Sequence, residues 1–144
     1  MNIVDIAIYI VMLLMSMVVH EYSHGWVSYR LGDPTAYREG RLSLNPLKHM
    51  DGLTTLALPL LLIITRSPVV FWAAKPVPIN VNMLKGGNRS MALVALAGPL
   101  SNLIMAMIAG IFIKTTFIPA DIESILRFFV TINISFFIFI THWD

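Results

Sequence analysis

The sequence contains no cysteine. That excludes a disulfide framework and any thiolate metal site, so a bound metal must be held by His, Asp or Glu. Charge is also scarce. Asp, Glu, Lys and Arg make up 12% of the 144 residues, against about 25% in a typical soluble domain, and 57% are hydrophobic against about 45–50%. These figures exclude an ordinary water-soluble domain. They describe an integral membrane protein forming one unit over residues 1–144. The net charge of +2 is too small to suggest nucleic acid as a partner, and the basic residues read better as topology signals. The N-terminus lacks the basic n-region and small-residue cleavage pattern of a signal peptide, so the first apolar run is expected to be retained. There is no internal repeat and no low-complexity tail.

What is present is a set of long apolar runs. Ile3 to about Leu31 reads as one helix, with Trp26 and Tyr29 suited to an aromatic belt at the interface. Gly32-Asp33-Pro34 supplies the stop. Residues 33–51 form a polar loop carrying Arg38, Arg41, Lys48 and His49, with turn signals at Gly40 and Asn45-Pro46. Gly52 to Thr65 is apolar but short of the roughly 20 residues that a helical span needs, which suits a re-entrant or tilted segment. Residues 67–88 hold Pro68, Pro76, Pro78, Gly86 and Gly87. The alternating prolines of Lys75-Pro76-Val77-Pro78 cannot lie inside a helix. Ser90 to Ile113 is a second span, with a break expected at Gly98-Pro99, and Ile122 to Ile140 is a third. The expected fold is therefore all-α and membrane-embedded, with about three transmembrane helices and one short re-entrant or tilted segment. Basic residues flank the short segment on both sides, which places those loops in the cytoplasm and the N-terminus outside. His20 to His24, Gly98 to Asn102 and the C-terminal residues then fall at similar depth.

The chemistry centres on His20-Glu21-Tyr22-Ser23-His24. Four-residue spacing puts His20 and His24 on one helix face, where two imidazoles can bind one zinc ion, with Glu21 beside them as general base. Three ionisable residues at the end of a lipid-length run mark a functional site by default. The bland alternative is two interfacial histidines and a capping glutamate. A catalytic zinc takes three protein ligands and keeps one position open. The third could come from His49, His142, Asp33, Glu39, Asp51, Asp144, Asp121 or Glu123, and nothing local selects among them.

Ala97-Gly98-Pro99-Leu100-Ser101-Asn102 places irregular backbone and an amide inside an apolar span. Such a feature is tolerated where it faces protein or a water-filled cavity. It reads either as a helix-packing site or as a place where Asn102 binds the substrate backbone or the reaction oxyanion. Arg38, Arg41 and Lys48 read as solvated topology charges, Trp26, Trp72 and Trp143 as interfacial anchors, His49 as a loop histidine, and Met12, Met15 and Met17 as packing or lipid-facing surface.

The zinc pentapeptide, Gly32-Asp33-Pro34-Thr35-Ala36, the run Gly40 to His49, Ala74-Lys75-Pro76-Val77-Pro78 and Ala97 to Asn102 occur in order. Together they resemble the site-2 protease family of intramembrane zinc metalloproteases, in its compact bacterial branch, from about residue 5 to residue 133. The resemblance implies a multi-pass protein of the bacterial cytoplasmic (inner) membrane that cleaves transmembrane segments of membrane-protein substrates near the cytoplasmic face, in regulated intramembrane proteolysis. It implies His20 and His24 as zinc ligands, Glu21 as catalytic base and Asn102 as a substrate or oxyanion contact.

The chain departs from the family pattern at its end. The family's last core helix carries an Asn, then a Pro-rich stretch, then a Leu-Asp-Gly whose Asp is the third zinc ligand. Ile132-Asn133-Ile134-Ser135 fits. Phe139-Ile140-Thr141-His142-Trp143-Asp144 then stands where the Pro-rich stretch would begin. The expectation is a core that stops before its third ligand. Two alternatives follow: His142 or Asp144 completes the shell, or the chain is a non-enzymatic membrane protein that binds transmembrane partners through the same fold.

Overall fold

In a computed structural model, the described residues are 3–50, 57, 61, 64–65, 75–115 and 117–141, with side chains through 138. They are helical and contain no strand. Helix α1 spans Ile3–Arg30, and the short α2 spans Thr35–Arg38. Two 3-10 turns, Pro46–Lys48 and Val81–Met83, lead to α3, Asn88–Thr115. Helix α4 covers Ala120–Thr141.

α1 and α3 have 28 residues each. At 1.5 Å per residue they are roughly 42 Å long, more than a hydrocarbon core of about 30 Å. These two helices are long and apolar enough to cross a membrane. α4, with 22 residues, reaches roughly 33 Å. Large aliphatic side chains stand exposed along α1 and α3, among them Ile3, Val4, Ile10 and Val11 on α1 and Leu93, Leu96, Ile104 and Ile108 on α3. Water would penalise that surface, and lipid would not.

α3 is the central helix and packs on both α1 and α4, whereas α1 and α4 touch less. Where α1 meets α4, the Tyr9 and Phe128 rings lie 4.1 Å apart. Nearby, the buried Asn133 amide donates to Ser16 Oγ at 3.0 Å. Such interhelical bonds average only about 0.6 kcal/mol in membranes. They fix which faces meet more than they hold the bundle together.

α1 stops where the sequence says it should. Gly32 takes φ 108, a conformation that side chains disfavour. The Asp33 N–H turns back to the Ser28 carbonyl at 3.0 Å. Trp26 and Tyr29 are exposed near this end, with the Arg30 guanidinium 5.5 Å over the Trp26 ring. The break expected at Gly98-Pro99 does not occur: α3 runs through both residues. Pro99 has no N–H for the Ala95 carbonyl, which weakens one rung of the ladder. The rest of the helix is carried by a buried proline ring and by packing on both neighbours. The segment expected to be re-entrant or tilted, residues 52–65, lies mostly outside the described residues, as does Trp72.

Candidate metal centre between α1 and α3

His20 and His24 are brought together as their spacing requires. Their Nε2 atoms face each other at 3.0 Å, and the rings meet edge to face. Two imidazole nitrogens on one zinc, each about 2.0–2.1 Å from it in tetrahedral geometry, lie roughly 3.3 Å apart. The observed spacing is within a few tenths of an ångström of that. The far nitrogens are anchored on α3. His24 Nδ1 lies 2.6 Å from the Val94 carbonyl, and His20 Nδ1 lies 3.0 Å from Asn102 Nδ2. Anchoring of the second ring nitrogen is the usual support of a histidine ligand. Gly98 makes the approach possible, since an added Cβ there would stand 2.6 Å from His20 Nε2 and would overlap His24 Nε2 as well. The spacing of these two nitrogens suits two ligands of a divalent metal of the zinc type, and no third stands beside them among the described residues.

Glu21 lines two cavities. One of about 120 Å³ is bounded by Met17, His20, Glu21 and Phe136 of α4. The other, of about 250 Å³, lies on the side of His24, Pro76 and Val77. Its Oε2 accepts the Val77 N–H at 2.8 Å. The alternating-proline stretch is held against α1 and the loop at several points. The Lys75 N–H donates to the His49 carbonyl at 3.0 Å, and the Arg41 guanidinium donates to the Lys75 carbonyl at 2.7 Å. Arg41, read from the sequence as a solvated charge, is therefore a brace on this stretch.

Asp33 braces the same stretch. Fully buried, it accepts from Ser28 Oγ at 2.9 Å, from the Thr35 N–H and hydroxyl, and from the Asn80 N–H at 2.7 Å. Burial alone would push its carboxyl up. The Thr35 hydroxyl, the Asn80 and Thr35 N–H groups and the Ser28 hydroxyl outweigh that and hold it below the usual carboxylate range. With its oxygens spent on these donors, Asp33 drops out as a metal ligand.

Other candidates for the third ligand are also placed elsewhere. His49 is buried, with Nε2 2.6 Å from the Ser43 carbonyl. Glu123 pairs with Arg127 at 2.6 Å on α4. Among the described residues no group of three His, Asp or Glu could hold a metal. Asp51, His142 and Asp144 lie outside them. Asn102 is at the site and wholly buried, with its amide nitrogen on His20. Sequence reasoning missed the Val77 N–H and the Val94 carbonyl, because backbone groups leave no mark in a sequence.

No family model and no solved structure matches the chain. It is 37% identical to the Bacillus subtilis (strain 168) protein named "Putative zinc metalloprotease YwhC", over 119 residues covering 83% of this chain and 50% of that protein. It is 33% identical over 95 residues, 66% of this chain and 35% of the relative, to "Putative zinc metalloprotease Rip2" of Mycolicibacterium smegmatis. The same identity and coverage hold for Rip2 of Mycobacterium tuberculosis (strain ATCC 25618 / H37Rv). The chain spans about half the length of the first of these relatives and about a third of the others. It is thus homologous, over most of its own length, to bacterial proteins named as zinc metalloproteases.

Proposed function

We propose that this chain carries the zinc-binding part of an intramembrane metalloendopeptidase of the site-2 protease type. The observation that carries the reading is the 3.0 Å convergence of His20 Nε2 and His24 Nε2 beside Glu21, on a helix of membrane length. His20 and His24 would hold one zinc ion, with a third ligand from outside the described residues. Bound zinc supplies Lewis-acid polarisation of the scissile carbonyl and makes the attacking water more acidic.

The chain's own residues do the rest. The Glu21 carboxylate takes a proton from the attacking water as the new C–O bond forms. It returns that proton to the amine as the C–N bond breaks. The Val77 N–H holds the carboxylate in place, and two cavities meet at Glu21. Asn102, with its amide on His20, is the residue we propose for contact with the substrate backbone or the reaction oxyanion.

The substrates are transmembrane segments, cut near the cytoplasmic face in regulated proteolysis. Depth supports this reading, because His20 and His24 lie in the second half of an apolar helix that ends in Trp26, Tyr29 and Arg30. We place the protein in the cytoplasmic membrane with three spans, α1, α3 and α4, and its N-terminus outside. The test is the zinc content of the purified chain, with His20→Ala and Glu21→Gln alongside cleavage of a transmembrane peptide. A chain that binds no zinc with both histidines intact would support the second reading, a non-enzymatic membrane protein that binds transmembrane partners.

A further inference from the structure

α1 and α3 also enclose an apolar groove of about 340 Å³, which neither histidine nor Glu21 lines. Trp26, Val27 and Leu31 line it from α1, and Leu93, Leu96 and Leu100 line it from α3. Arg89 and the three leucines follow the spacing i, i+4, i+7, i+11, so they share one face of α3. Trp26 and the leucines are about half exposed. From Leu93 to Leu100 the helix rises roughly 10 Å. Half of a hydrocarbon core is about 15 Å. The groove therefore covers most of the depth of one leaflet.

Its outer end is basic. Arg30 lines the groove, with its guanidinium 5.5 Å over the Trp26 ring. The Lys85 N–H donates to the Leu31 carbonyl at 2.9 Å, and its side-chain carbons stand 3.1–3.3 Å from where a Cβ on Gly32 would be. Lys85 is thereby held beside the end of α1. Arg89 lies in the first turn of α3, one turn before Leu93. All three cations are exposed, and among the described residues none pairs with a carboxylate. Asp33, just past the end of α1, is buried with its oxygens on Ser28, Thr35 and Asn80.

We propose that this groove seats an anionic phospholipid, with its phosphate among Arg30, Lys85 and Arg89 and one acyl chain along Leu93, Leu96 and Leu100. An apolar helix laid in the same groove would cover the leucines and leave the three cations without a counter-charge. A phospholipid meets both halves: its chain suits the apolar walls and its headgroup suits the cations. Each basic residue close to an anionic surface favours it by about fivefold, so three together favour an anionic headgroup over a neutral one by up to roughly 100-fold. The proposal rests on α1 and α3 as membrane spans and is independent of the histidine pair.

The experiment uses the full chain in neutral detergent, incubated with dioleoyl phosphatidylglycerol or dioleoyl phosphatidylcholine, and bound lipid is read by native mass spectrometry. The wild type should retain phosphatidylglycerol at least about tenfold in preference to phosphatidylcholine. Arg30→Gln/Arg89→Gln should weaken that preference by about 5- to 25-fold. Lys114→Gln/Arg127→Gln removes the same charge at the other end of α3 and should leave it unchanged. A phosphatidylglycerol with a photoreactive acyl chain should label the segment around Leu96. Equal loss in the two double variants overturns the proposal, because charge alone then accounts for binding. Equal retention of both lipids by the wild type overturns it too, as does labelling confined to other segments. A wild type that keeps no lipid and elutes as a dimer overturns it and gives the groove to a second copy of the chain.

Discussion

Gly98 of α3 lies directly against the His20 imidazole: a Cβ on Gly98 would stand 2.6 Å from Nε2 and 2.7 Å from Cε1. Real Cβ contacts essentially never come this close, so one partner must move. Glycine inside a helix costs about 1 kcal/mol relative to alanine. Helix propensity alone therefore predicts that Gly98→Ala stabilises the chain. We expect the overlap to win at the site. Helical circular dichroism should be retained, and zinc affinity should drop at least about tenfold, in line with the cost of disturbing the support of a ligand. Zinc competition on the purified variant checks this.

Glu21 and the Val77 N–H meet at 2.8 Å. Glu21→Gln keeps a carbonyl oxygen to accept that bond but cannot take a proton. Cleavage of a transmembrane substrate should fall by about 10²- to 10⁴-fold, the range for loss of a general base. Zinc content should be unchanged. Activity that survives the substitution would remove Glu21 from the mechanism.

Asp33 gives a pH-dependent prediction. Its folded carboxyl lies below the ordinary value, so it contributes stability above the unfolded pKa of about 3.9, and that contribution is lost as pH falls through the folded pKa. Asp33→Ala leaves the Ser28, Thr35 and Asn80 donors without their acceptor. The cost should be about 1–3 kcal/mol at pH 7, the range for stranding buried donors. The difference between wild type and variant should shrink as the pH drops below about 4. Thermal unfolding in detergent at pH 7, 5 and 3 measures both.

The Asn133–Ser16 bond should matter little to stability. Ser16→Ala removes the acceptor of the 3.0 Å contact, while the Asn133 amide keeps its bond to the Phe129 carbonyl at 2.8 Å. The cost should be about 0.6 kcal/mol and no more than about 1.7. Reversible unfolding in mixed micelles can resolve that range.

The long helices were legible because periodicity barely matters for an apolar span. The first was expected to end near Leu31 and ends at Arg30, and the span read from Ser90 to Ile113 is Asn88–Thr115. The histidine pair was legible because both side chains share one helix, where spacing dictates geometry. Gly98-Pro99 misled, since proline is costly in an isolated helix and tolerated in one packed on two neighbours. Asn102 was placed at the site, but its partner was hidden. The contact to His20 joins residues 82 apart on different helices. Asp33 looked like a possible ligand because a carboxylate near histidines always does. Only its hydrogen bonds to Thr35 and to the distant Asn80 mark it as a brace.

The central claim is that His20 and His24 form a metal site, and zinc stoichiometry tests it most directly. The purified chain should hold one zinc ion. Glu21→Gln should hold the same amount, and His20→Ala or His24→Ala should hold none. Equal zinc in wild type and in the His20→Ala/His24→Ala double variant would contradict the account.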